Sequence, residues 1–156
     1  MWLYKGQEFT AADVPEDAVG FVYVITNLET GKKYLGKKNF FRVIVRPPLK
    51  GMKKKRRETV QSDWLLYVGS SETVKAQVAE LGLTRFRREI LAICYSKGML
   101  SYMEAKMQFD MGVLFDDNYL NGIIQVRINR SHVIKDKKTV VFDPILEDSD
   151  DSNGTK

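Results

Sequence analysis

The first sustained apolar pattern is Phe21-Val22-Tyr23-Val24-Ile25-Thr26, a β-branched and aromatic run of strand length. Asn27-Leu28-Glu29-Thr30-Gly31 follows with turn chemistry, and Lys32-Lys33-Tyr34-Leu35-Gly36 reads as the returning strand of a hairpin. Between residues 39 and 63, Pro47-Pro48 and Gly51 block a regular helix, which predicts a loop with short helical pieces at most. An apolar cluster at 64–67 precedes Gly69-Ser70-Ser71, where either serine can cap a helix. Glu72 suits the positive helix end, Val74, Val78 and Leu81 share a face, and Gly82 stops the element. Residues 86–93 predict a third strand. Residues 101–114 predict a second helix, with Met103, Met107, Met111 and Leu114 as its buried stripe. Residues 123–128 read as extended, 140–142 as a short last strand, and 1–19 as an irregular lead-in with a turn of helix near Thr10-Ala11-Ala12-Asp13. The expected class is α+β, a small three-stranded antiparallel sheet flanked by helices.

Composition narrows the chemistry. At 156 residues the chain has room for one core. Its single cysteine, Cys94, excludes a disulfide framework and a cysteine zinc site. Its single histidine, His132, excludes a histidine metal cluster and reads as a surface residue. The apolar runs are too short to span a bilayer, and the first residues lack the apolar core of a secretory signal, so a cytoplasmic protein is expected. The formal charge of +5 is unevenly spread. Residues 147–156 carry four acids and one base, so the rest holds 24 Lys+Arg against 16 Asp+Glu, near +8. Residues 32–57 hold twelve bases and no acid, an electrostatic footprint for an anionic partner such as nucleic acid. The expected organisation is a lead-in at 1–19, one domain at 20–146 with a basic insertion at 37–63, and an acidic disordered tail at 147–156 that could fold back over the basic surface.

No phosphate-binding glycine loop, nucleophile elbow or metal-binding His/Cys array is present. Candidate chemistry therefore falls to tyrosines, arginines and a carboxylate. Tyr23 and Tyr34 lie on the two strands of the predicted hairpin, eleven residues apart, and Gly36 permits close approach at the end of the second. With Gly20-Phe21-Val22-Tyr23 followed by Tyr34-Leu35-Gly36, the chain resembles the GIY-YIG nucleases, named for two such tripeptides on neighbouring strands. Asn27 suits that hairpin, residues 86–91 resemble the family's third strand, and Asn121 in Tyr119-Leu120-Asn121-Gly122 resembles its closing asparagine. The segment from Ser62 to Ser71 is similar to that of phage-encoded members. The ordered set covers roughly residues 20 to 125.

The resemblance implies a DNA endonuclease. Glu104, expected in the first turn of the second helix, would hold one Mg²⁺ or Mn²⁺; Tyr23 would serve as general base and Tyr34 would position water or phosphate. The family's arginine maps to Arg46, then Arg42, and its neighbouring histidine is absent. Lys37 and Lys38 would grip the flanking backbone, with Lys53, Lys54, Lys55, Arg56 and Arg57 adding affinity without sequence choice. A partner protein could provide targeting, and either a monomer or a dimer fits. Read without the resemblance, Tyr23 and Tyr34 are ordinary strand aromatics, and Ser101-Tyr102-Met103-Glu104 is a capping-box spacing. One of Arg87 and Arg88 would face substrate and the other solvent. The alternative function is a non-catalytic nucleic-acid-binding module with the same basic surface.

Overall fold

A computed structural model describes residues 1–139. In chain order it contains β1 (Trp2–Tyr4), β2 (Gln7–Phe9), a 3-10 turn (Ala11–Asp13), β3 (Gly20–Asn27), β4 (Lys33–Asn39), β5 (Phe41–Arg46) and β6 (Arg56–Gln61). A second 3-10 turn (Trp64–Leu66), α1 (Glu72–Leu81), a third 3-10 turn (Leu83–Arg85), β7 (Phe86–Cys94), α2 (Lys97–Asp110) and α3 (Arg130–Val133) complete it. The class is α+β, as expected, but the sheet is larger than three strands. Its order is β2-β1-β7-β3-β4, and β5 and β6 form a separate two-stranded ribbon.

The three strands legible in sequence form one half of this sheet. β3 pairs antiparallel with β4 and with β7, with Tyr23 opposite Gly36 on one side and Ile90 on the other. The supposed lead-in is the other half. Trp2-Leu3-Tyr4 runs parallel to β7, with Trp2 opposite Arg88, and turns back as β2. Short length hid these strands: three residues carry too little alternation to register, although Lys5-Gly6 between them is a turn signal.

Each face of the sheet has its own core. Trp2, Phe21, Tyr23, Phe40 and Trp64 fill one, with Val74 of α1 against them. Phe21 lies 4.9 Å from Phe40 and 5.0 Å from Trp2 between ring centroids, edge and tilted geometries that aromatic quadrupoles favour. Val22, Leu35 and Cys94 fill the other face beneath Met99, Leu100 and Met103 of α2. Cys94 is fully buried and its thiol is pushed up to about 12 by desolvation, so it is inert as a nucleophile.

Helix α1 starts and stops as expected, with the Ser71 hydroxyl accepting from the Val74 amide and Gly82 closing the end. Helix α2 corrects the sequence reading. It begins four residues earlier than expected, capped by Ser96, whose hydroxyl accepts from the Met99 amide, and it ends at Asp110. Gly98 concealed this start. A Cβ there would lie 2.5 Å from the His132 carbonyl oxygen, so the glycine lets α3 pack on the first turn rather than breaking the helix. Two consequences follow. Glu104 is a mid-helix residue, not a first-turn cap, and Met111 and Leu114 are exposed instead of continuing the buried stripe.

Residues 123–128 form no strand, and the strand expected at 140–142 and the acidic tail lie outside the described residues. The supposed loop at 39–63 is mostly the β5–β6 ribbon. Its β-branched residues Val43, Ile44, Val45, Thr59 and Val60 sit in strand register, with both prolines confined to the connection. Among the described residues no helix is long and apolar enough to cross a membrane.

Candidate active site

Strand β4 is one of the two outer strands of the five-stranded sheet, and the residues around its middle form the site. Because Tyr23 and Gly36 are directly opposed, the Tyr23 ring lies over the glycine. A Cβ at position 36 would come within 2.6 Å of the Tyr23 hydroxyl and 3.1 Å of the Tyr34 ring. Only glycine admits that crossing, which gives the glycine of the second tripeptide a physical reason.

Tyr23 is fully buried, and among the described residues its hydroxyl is the one buried side-chain nitrogen or oxygen without a hydrogen-bond partner. Leaving such a group unpaired costs about 1–3 kcal/mol. Burial pushes its pKa far above the ordinary tyrosine value, and the neighbouring Tyr67, Tyr34 and Glu104 push the same way. The hydroxyl is therefore held neutral.

Three elements surround it. Tyr34, two residues before Gly36 on the same face, has its ring centroid 6.5 Å from that of Tyr23, and its hydroxyl lies 2.8 Å from the Ser70 hydroxyl. Tyr67 meets Tyr23 edge-on at 5.8 Å. Glu104 comes from α2, with its carboxylate 3.6 Å from the Lys37 ammonium, which also donates to Ser101 at 2.9 Å. Desolvation raises the Glu104 pKa, and Lys37 opposes that shift. Lys38 lies 4.0 Å above the Tyr67 ring and pairs with Asp63 at 2.6 Å; its hydrogen bond, joined by the charges of Lys38 and Arg42, lowers the Asp63 pKa.

The segment carrying Tyr67 and Ser70 is held by long-range backbone capture. The buried Arg88 guanidinium donates to the Leu65 and Tyr67 carbonyls at 3.0 and 2.9 Å and lies 4.8 Å from the Trp2 ring. The Trp2 indole donates to the Trp64 carbonyl at 2.8 Å. Arg88 thus faces inward as a clamp, while Arg87 faces the other way and pairs with Glu89. Tyr67 and Ser70 were not singled out as site residues from sequence. Gly69 beside them, with φ of 97° and its Cβ position 3.6 Å from the Tyr23 hydroxyl, was the available signal.

The two asparagines act on backbone. Asn27 accepts from the Glu29 and Thr30 amides and so closes the hairpin turn. The Asn121 carboxamide accepts from the Leu35 amide at 3.0 Å and donates to the Leu35 carbonyl at 2.7 Å, acting as one residue of a missing strand on the sheet edge.

Arg46 is not brought to this cluster. It pairs with Glu58 near the far end of the ribbon, about 13 Å farther along β5 than Arg42 at ~3.3 Å per residue. Lys53, Lys54 and Lys55 lie in the connection beyond it, exposed with Arg56 and Arg57. Among the described residues no three His, Cys, Asp or Glu side chains come together as a metal cage.

No curated protein and no solved structure matches the chain. A family model described as "Putative endonuclease segE, GIY-YIG domain" matches residues 2–124. That span takes in β1 at one end and Asn121 at the other, hence the whole five-stranded sheet and every residue around Tyr23. The chain belongs to the GIY-YIG nuclease family.

Proposed function

We propose that the protein is a metal-dependent DNA endonuclease whose chemistry is carried by Tyr23, Tyr34, Glu104 and an arginine. The observation that carries this reading is the hydroxyl of Tyr23, buried over Gly36 beside Tyr34 with no hydrogen-bond partner among the described residues and within electrostatic reach of Glu104. A buried polar atom kept without a partner is costly for stability and useful if a substrate or water completes it.

The residues fit a hard divalent ion rather than zinc or a full calcium cage. Glu104 offers one largely buried carboxylate whose negative charge Lys37 relieves only in part. Mg²⁺ is commonly held by one or two carboxylates, with waters and substrate phosphate as the remaining ligands. Glu104 would hold Mg²⁺ or Mn²⁺, which when bound supplies positive charge against the phosphate and the leaving oxygen.

The neutral Tyr23 hydroxyl orients the attacking water by accepting its hydrogen bond. Its raised pKa argues against a standing tyrosinate, so it takes up base character only with positive charge beside it. Tyr34, tied to Ser70, positions the phosphate or water on the same face. Of the two candidate arginines, Arg42 is better situated than Arg46, since it stands beside the Lys38–Asp63 pair at the root of the ribbon. Lys37 and Lys38 sit next to Gly36 and would hold the flanking phosphates.

The test is plasmid nicking with Mg²⁺ or Mn²⁺, comparing wild type with Glu104→Ala and Tyr23→Phe. Each substitution is expected to slow cutting on the order of 10²-fold or more, in line with the loss of a transition-state group. A wild type that never cuts with any divalent ion would end the endonuclease reading. Cutting by Glu104→Ala at the wild-type rate would remove the metal assignment. DNA retention that weakens with salt, without cleavage, would select the binding-module alternative.

A further inference from the structure

The β5–β6 ribbon is an insert with its own architecture. Its two ends are tied together where it leaves the domain: the Ser62 amide donates to the Phe40 carbonyl at 2.9 Å, and the Ser62 hydroxyl to the Asn39 carbonyl at 2.6 Å. Phe40 is fully buried, so the root is anchored in the core. Beyond it, all twelve strand residues are exposed except Ile44 and Val60, which are half-buried.

Cross-strand partners share a face, so the register sorts the side chains. Phe41, Val43 and Val45 lie on one face with Gln61, Thr59 and Arg57. Val43 and Val45 are 55% and 59% exposed there, Val43 on the wall of a groove that it shares with Ala18, Val19 and Lys97. Arg42, Ile44 and Arg46 lie on the other face with Val60, Glu58 and Arg56, and Ile44 and Val60 are the half-buried pair. Residues 41–61 contain eight Lys and Arg against the single acid Glu58, a charge of +7.

Charge selects what covers the exposed apolar face. A second copy would press +7 against +7. Duplex DNA offers opposite charge along its whole length, and its major groove, about 12 Å wide, admits a two-stranded ribbon. The face is also composed for reading bases: Gln matches adenine, Arg matches guanine, and Val and Thr methyls match the thymine methyl.

We propose that the β5–β6 ribbon lies in the DNA major groove and reads sequence through its Val43–Val45–Thr59–Gln61 face, with the Lys53–Lys55 tip holding backbone phosphates. Six residues at ~3.3 Å span about 20 Å, so the ribbon reads out to roughly 6 base pairs on one side of the site at 3.4 Å per pair. This gives the insertion a sequence preference, where charge alone would give affinity only. The inference rests on the nucleic-acid reading of the site but not on cleavage.

The test is selection from a random duplex pool by the full chain in EDTA, with bound DNA sequenced. Wild type should enrich a short one-sided motif. Val43→Ser/Val45→Ser, both exposed changes, should flatten that enrichment while total DNA retained stays within about threefold. Replacing Lys53, Lys54 and Lys55 with serine should weaken binding to all sequences alike and lower the log–log salt slope by up to about 3. Excision of residues 43–59 across a two-residue turn should abolish enrichment with the domain still folded. An unchanged motif in the valine variant, or a wild-type dimer that the valine variant converts to monomer, would overturn the proposal. Enrichment without cutting would support the ribbon while sinking the endonuclease; cutting without enrichment would sink the ribbon alone.

Discussion

One oxygen atom on Tyr23 carries opposite consequences for stability and for chemistry. Its hydroxyl is buried and has no hydrogen-bond partner among the described residues, so Tyr23→Phe removes a desolvated polar group without opening a cavity. The variant is expected to gain about 1 kcal/mol, some 2–4 °C in Tm for a domain of this size, while cutting collapses. Thermal unfolding beside nicking checks both halves, and a variant that loses both would mark the hydroxyl as structural. Glu104 gives a pH signature of definite sign. Its folded pKa lies above the unfolded value, so the native state holds the proton more tightly. Stability from this group is full below the unfolded pKa and declines as pH rises through the folded one. Glu104→Gln should therefore flatten that decline and raise Tm at neutral pH. Added Mg²⁺ should raise the Tm of the wild type and not of the variant. Cutting should rise with pH as Glu104 ionises, and more Mg²⁺ should move that rise to lower pH, because ion and proton compete for the same carboxylate.

Among the elements, β4 is the one whose exposure has to be managed. Asn121 occupies both the Leu35 amide and carbonyl, Gln108 adds a bond to that carbonyl at 3.2 Å, and the Lys33 and Leu120 backbones pair beside it. Asn121→Ala leaves the Leu35 amide without its partner and the carbonyl with Gln108 alone, and should cost about 1–2 kcal/mol, with faster hydrogen exchange at the Leu35 amide as the local readout. The family asparagine thus has a purely structural reason within this chain. The β3–β4 hairpin, α1 and β7 were legible because each carries a period longer than a turn and chemical stops at its ends. Tyr23, Tyr34 and Gly36 were legible with them, since a hairpin fixes which residues face each other. β1 and β2 were not, because each is three residues long and β1 is held by β7, far away in sequence. Helix α2 was misplaced because Gly98 serves a neighbour, not its own helix. The ribbon was hidden by the prolines of its connection, and Tyr67 by an apolar cluster with no period to read.

For the whole molecule, charge and connectivity matter most. The +8 body concentrates half of its cations in residues 32–57, seven of them within 43–59, so DNA affinity should fall steeply with salt, and excising residues 43–59 should remove most of that dependence. The excised protein should keep its Tm within about 3 °C, because the ribbon buries almost nothing and its root stays tied by Ser62. Connectivity has a different effect. Trp2 and Arg88, 86 residues apart, together grip the Trp64–Tyr67 backbone that walls the tyrosine cluster. Contacts of such sequence separation form late, since loop closure must precede any reward from them. During synthesis the hairpin bearing Tyr23 and Tyr34 therefore emerges long before its wall can close, and the growing chain carries the motif without the site. Refolding followed through Trp2 and Trp64, both in that corner, should report this closing step as the slow phase, and Arg88→Met should slow it further. The wall of the tyrosine cluster is thus complete only once residue 2 has met residue 88.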